Sequence, residues 1–187
     1  IGPVKDTMKQ LEDIMKKALF ASVAFIGIML ISSLFSQQFT YVGAGKCQIC
    51  HKTEKQGQQF PLWEAGKHSK SFEALSSDKA PQLAKELGVE NPTESPKCLQ
   101  CHGPLSEKAA DLKTEGVTCE VCHGPGSEYK KMSIMKDRAE AVKNGLKLYS
   151  SPDEIKAQCL TCHENAHGTS FEFSTAWEKV KHPVPEK

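Results

Sequence analysis

The chain has 187 residues, a formal net charge of +1 and 7% aromatic residues. That length holds one domain plus an appendage, and with Leu, Ile and Val sparse outside one segment, side chains alone would make a thin core. No basic stripe runs along the sequence, so nothing in it argues for nucleic acid as a partner, and none is expected.

Val4, Met8, Leu11 and Met15 recur at helical spacing. Residues 1–17 therefore read as an amphipathic helix, either cytoplasmic or lying at an interface, or as the wet end of the segment that follows. Residues 18–35 (ALFASVAFIGIMLISSLF) carry no charge and approach the shortest run that spans a bilayer. A cleaved signal peptide competes with that reading. Asp6, Glu12 and Asp13 ahead of the run, and the lack of a small-x-small site after it, favour an uncleaved signal-anchor helix. Lys16 and Lys17 then leave the amino terminus in the cytoplasm. Residues 36–40 form a tether, and residues 41–187 form a domain on the periplasmic side of the inner membrane.

Within that domain one motif occurs four times: Cys47-Gln48-Ile49-Cys50-His51, Cys98-Leu99-Gln100-Cys101-His102, Cys119-Glu120-Val121-Cys122-His123 and Cys159-Leu160-Thr161-Cys162-His163. Together they use all eight cysteines. Cys-x-x-Cys-His is the attachment signature of c-type haem: two thioethers fix the edge of the macrocycle and the adjacent His binds iron. Paired Cys-x-x-Cys knuckles also hold structural zinc, but a zinc ribbon needs no His after every second Cys. Four covalent haems are expected, numbered I to IV in chain order, with His51, His102, His123 and His163 as proximal ligands. Haem c is attached outside the cytoplasm, in keeping with the topology of the anchor.

Between the first two motifs Phe60, Trp63, Lys67 and His68 share a helical face, and Ala80–Leu87 restarts a helix that Gly88 ends. Gly103-Pro104 and Gly124-Pro125 stop the helices of the second and third motifs just after their histidines. Only residues 103–118 separate those two motifs, a link short enough to press haems II and III together. Residues 127–146 read as one helix with Met132, Met135, Ala139 and Val142 on one side. Ser151-Pro152-Asp153-Glu154 is a helix start that leads into the fourth motif, and Thr175–His182 forms a last helix before Pro183. The expected fold is mainly α with extensive irregular loops: a haem-cored multihaem domain on a single N-terminal transmembrane helix.

Three stretches carry a resemblance: Tyr41-Val42-Gly43 ahead of the first motif, Trp63-x4-His68-x3-Phe72, and Gly116-Val117-Thr118 running through the third motif to Gly124-Pro125-Gly126-Ser127. The chain resembles, over residues 41–187, the cytochrome c-554 family of tetrahaem electron carriers. The resemblance implies stacked haems and electron transfer. It implies His68 as the distal ligand of haem IV, His182 as that of haem III, and a haem II without a strong distal ligand. The family's His shortly after the third motif has no counterpart here; Met132 and Met135 lie in that region.

Seven histidines less four proximal ones leave His68, His167 and His182 for four distal positions. At least one haem must then be His/Met, five-coordinate or unusually ligated. Met132, with Met135 as its alternate, is expected at haem I. His167 sits too near His163 to cap the same haem; it either reaches a neighbour such as haem II or is a plain polar residue in the Asn165–Gly168 turn.

The leading expectation is a membrane-anchored carrier relaying electrons between membrane redox complexes and other periplasmic carriers. Its partners would be a quinol-oxidising complex, a terminal oxidase or a photosynthetic reaction centre. One rival reading is reduction of a small nitrogen oxide at an open haem II, although the Cys-x-x-Cys-Lys motif of pentahaem nitrite reductases is missing. A second rival is a conducting or structural subunit of a larger membrane complex. The balance favours a carrier over an enzyme.

Overall fold

The computed structural model describes Met15 and residues 39–184. The expected spanning segment 18–35, nearly all of segment 1–17 and most of the tether lie outside the described residues. No described helix is long and apolar enough to cross a membrane.

Residues 39–184 are helical, with no strand among the described residues. The helices are α1 (Ala44–His51), α2 (Gln59–Ala65), α3 (Ala80–Glu86), α4 (Pro96–His102), α5 (Cys119–His123), α6 (Met132–Met135), α7 (Arg138–Lys143), α8 (Pro152–His163) and α9 (Phe173–Val180). The longest has 12 residues, too few to be stable alone, so contacts between segments must hold them. Tight 3₁₀ turns at His68–Lys70, Glu73–Ser76 and Ala110–Glu115 join them. The side-chain core is thin, as expected. Its buried apolar members include Phe60, Leu75, Leu99, Leu105 and Tyr129, and the largest side chains buried almost completely are the polar Glu120 and Thr118.

Local chemistry sets several boundaries where expected. Gly88, at φ 65°, ends α3 in a Schellman motif, with Gly88 N donating to Lys85 O (3.2 Å) and Val89 N to Ala84 O (2.8 Å). At α8, Ser151 Oγ accepts from Glu154 N and Pro152 occupies the first turn. The Glu154 carboxylate reaches back to accept from Ser150 N at 2.7 Å and Ser150 Oγ at 2.6 Å, a variant of the capping box. Gly103 and Gly124 cap α4 and α5 immediately after their histidines.

Three expectations are corrected. The helix carrying Phe60 and Trp63 stops at Ala65, because Gly66 turns extended (φ −79°, ψ 170°); Lys67 and His68 leave its face and His68 opens a 3₁₀ turn. Residues 127–146 break into a single turn, α6, and then α7. Asp137 is extended there (φ −106°, ψ 109°) and caps α7 by accepting from Glu140 N, a local bond that competes with a continuous helix. Finally, α4 packs on α8 and α5 packs on α1, so motif II meets motif IV and motif III meets motif I. The 103–118 link does not press II onto III. It folds against the His68 turn instead, where Val117 N donates to His68 O at 3.0 Å.

Candidate haem-binding site

Each Cys-x-x-Cys-His forms the end of a helix: α1, α4, α5 and α8 all finish on their motif histidine. Two cysteines three residues apart share a helical face, and the His follows one turn after the first. This is the placement that two thioethers and a proximal ligand require. The sites adjoin one another. Cys47 of motif I hydrogen-bonds Cys119 of motif III, which raises the Cys47 thiol and lowers that of Cys119. Burial first, and then a hydrogen bond with Cys162 of motif IV, pushes Cys101 of motif II up to about 11. Cys162 Sγ also lies 3.8 Å from the Gln100 carbonyl oxygen. Burial and the nearby Cys159 raise Cys122 to about 11. The motifs therefore follow one another in space as I, III, IV, II.

Three motif histidines each face a histidine from outside the motifs. The ring centroids of His163 and His68 are 6.2 Å apart at 44°, those of His102 and His167 are 6.1 Å apart at 53°, and those of His123 and His182 are 5.9 Å apart at 47°. No hydrogen bond joins the rings of any pair among the described residues. A first-row metal ion binds imidazole nitrogen at about 2 Å. Two such bonds plus the two nitrogen-to-centroid distances account for a gap of this size. Burial, and then the facing His182, lowers His123 to about 4; burial, and then His163, lowers His68. Both effects favour the neutral imidazole that a metal takes. The donor set thus fits iron held between two imidazoles, which is what c-type haem offers.

The fourth motif histidine in this count, His51, has no facing ring among the described residues; its Nδ1 lies 3.3 Å from Gln59 Oε1. Met132 and Met135 sit at the two ends of α6, and Met132 is exposed.

Residues around the ligands were not all visible in the sequence. Ser71 ties three parts of the site together. Its carbonyl accepts from His102 Nδ1 at 2.7 Å, which leaves Nε2 for the metal. Its hydroxyl lies 2.9 Å from His68 O, 3.1 Å from His102 O and 3.0 Å from the Val117 amide that donates to it. Trp63 Nε1 donates to Val117 O at 2.8 Å. Gly116, at φ 69°, makes the approach possible, because a Cβ there would lie 2.6 Å from His68 O and 2.5 Å from Ser71 Oγ. Glu120, between the cysteines of motif III, is buried and accepts from Val42 N, Gly43 N (2.8 Å) and Gly126 N (2.6 Å). With Glu115, which accepts from Ala44 N at 2.8 Å, it caps the amino end of α1 with negative charge. Phe171 stacks on His163 at 4.8 Å and 15°. A charge placed inside a Cys-x-x-Cys loop is the one signal in the sequence that could have pointed to Glu120, which the motif reading passed over. Ser71 and Phe171 carried none.

Adjoining helix-terminal Cys-x-x-Cys-His motifs, with imidazoles facing three of them, are the arrangement of a c-type cytochrome. Residues 46–124, which contain the first three motifs, match the family model described as cytochrome c554 and c-prime. Over that stretch the chain is similar to a family of c-type cytochromes, a likeness that supports covalently bound haem c and electron transfer. No curated protein and no solved structure matches it.

Proposed function

We propose that the chain is a membrane-anchored tetrahaem cytochrome that relays electrons between membrane redox complexes and other periplasmic carriers. The observation that carries the reading is the pairing of motif histidines with non-motif histidines in a run of adjoining sites. Haem c supplies one-electron iron chemistry at each position. The protein's part is to fix both faces of the iron and to hold neighbouring sites edge to edge. On this reading His68 is the distal ligand of haem IV and His182 that of haem III. Each brings a segment distant in sequence onto a motif, so axial ligation also ties the fold together.

Residues 18–35 support a single membrane-spanning helix at the inner membrane, with the cytochrome domain on the periplasmic side. An anchor of this kind confines the carrier to the surface and raises its effective concentration for membrane-bound partners. Quinol-oxidising complexes, terminal oxidases and photosynthetic reaction centres are partners of suitable chemistry.

Intact mass of the denatured full-length protein tests the loading: the expected mass is that of the chain plus four haem groups. Retained zinc, or free thiols in the motifs, rejects the reading. Carbonate washing of membranes tests the anchor, and release of the full-length protein by the wash would remove that part of the proposal alone.

A further inference from the structure

We infer that His167 is the second axial ligand of haem II. The iron held by Cys98, Cys101 and His102 is then closed on both faces, and haem I is the haem without a second imidazole. The inference rests on the four-haem reading above, and it departs from the open haem II that the family resemblance implies.

The first observation is metric. The His102 and His167 rings lie 6.1 Å apart at 53°, a separation inside the 5.9 to 6.2 Å range of the other two pairs. The second is the backbone that presents His167. Asn165 (φ 53°, ψ 28°) and His167 (φ 54°, ψ 31°) are both left-handed, and Gly168 follows at φ 70°. Non-glycine residues adopt this conformation uncommonly, Asn and His more readily than most, and it persists where the surroundings fix it. The turn's own bonds, Gly168 N to Asn165 O and Thr169 N to Ala166 O, involve backbone atoms, and no described hydrogen bond reaches the His167 ring. An axial bond to iron is an interaction that would select the strained form.

The third observation concerns delivery. Helix α8 packs on α4, with Cys162 against Gln100. The four residues after His163 therefore emerge beside motif II rather than over motif IV. On the other side, His102 Nδ1 is committed to Ser71 O at 2.7 Å, which fixes the ring with Nε2 toward the iron. His68, His167 and His182 are then each used once, and His51 is left without a partner. An iron with imidazole on both faces offers no free position to a small nitrogen oxide, so the catalytic reading at haem II loses its site.

The test uses the full-length, haem-loaded protein, and intact mass first establishes four haems; failure at that step counts against the loading and not against this ligand. Electron paramagnetic resonance and near-infrared magnetic circular dichroism then count haem types. The wild type is expected to show three bis-imidazole haems and one haem of another kind. His167→Gly, at unchanged haem content, should show two bis-imidazole haems and a new high-spin haem, and added imidazole should restore the third. Three bis-imidazole haems persisting in His167→Gly, or two in the wild type, would overturn the assignment. If His167→Gly fails to retain haem, His167→Met decides. A bis-imidazole count that falls from three to two supports the ligand, and a count unchanged from wild type refutes it.

Discussion

Glu120 takes up amide donors from two segments more than seventy positions apart in sequence, Val42–Gly43 and Gly126. A buried donor stripped of its acceptor costs about 1–3 kcal/mol, so Glu120→Ala should lower stability by roughly 3 kcal/mol or more, because several donors lose their acceptor together. Glu120→Gln keeps one acceptor oxygen and should fall between that variant and wild type. Guanidinium unfolding of the haem-loaded protein, followed through the haem spectrum, would measure both, and an Ala variant as stable as wild type would reject the role. Gly116 gives a sharper case. A Cβ at this position meets the His68 carbonyl oxygen at 2.6 Å on a left-handed backbone, and backbone cannot step aside as a flexible side chain can. Gly116→Ala should cost roughly 1–3 kcal/mol from the conformation alone and should shift the His68 turn. Spectroscopy should then show one of the low-spin haems weakened. At this scale the motif cysteines and histidines were legible because a covalent signature is local in sequence. The family resemblance singled out His68 and His182, whose rings face His163 and His123. Ser71 was not, since its importance lies in joining His68, His102 and Val117, and nothing in a Ser between Lys70 and Phe72 signals that.

Helix α8 shows what the sequence reveals best among the elements. Its start depends on Ser151, Pro152 and Glu154, all within one turn, and the structure places them as capping chemistry requires. Ser151→Ala should cost about 1 kcal/mol and should loosen the helix that carries motif IV, read as faster amide exchange in its first turn. The Glu154 carboxyl is held below its ordinary value because the Ser150 hydroxyl, first, and the Ser150 amide donate to its charged form. A depressed carboxyl contributes stability above its unfolded value, near 4.5, and loses it as the pH falls through the lower folded value. Protection of the α8 start, taken relative to the intrinsic exchange rate at each pH, should therefore fall on acidification below about 4.5 in wild type, and this acid step should vanish in Glu154→Gln. Residues 127–146 show the opposite case. Their apolar spacing suits one helix, yet Asp137 ends a turn and caps the next, and periodicity cannot see that competition. The pairing of α4 with α8 and of α5 with α1 was equally hidden, because contacts between motifs far apart in sequence leave no local pattern.

Across residues 39–184 the motifs form a row ordered I, III, IV, II, and the exceptional one stands at an end of the row. His51 of motif I is the motif histidine without a facing imidazole among the described residues, and its helix α1 follows directly on the segment that leads from the proposed anchor. Thr40 and Ser127 exchange two hydrogen bonds of 3.1 Å, which fasten that entry to the chain just ahead of α6, where Met132 and Met135 stand. We propose a methionine as the second ligand of haem I, Met132 first and Met135 second, from this position and from the histidine count. A thioether raises the potential of a haem relative to a second imidazole, and axial ligands span a range of about 0.8 V. Haem I would then be the highest-potential site, and electrons entering at haem II would collect at the motif I end of the row. A potentiometric titration of the wild type should resolve one haem well above three others, together with the charge-transfer band of thioether-ligated ferric haem. Met132→His should remove the band and bring that potential down toward the rest. If the band is absent from the wild type, methionine ligation is wrong. If the band survives in Met132→Ala and is lost in Met135→Ala, the ligand is Met135, and the direction of the relay stands unchanged.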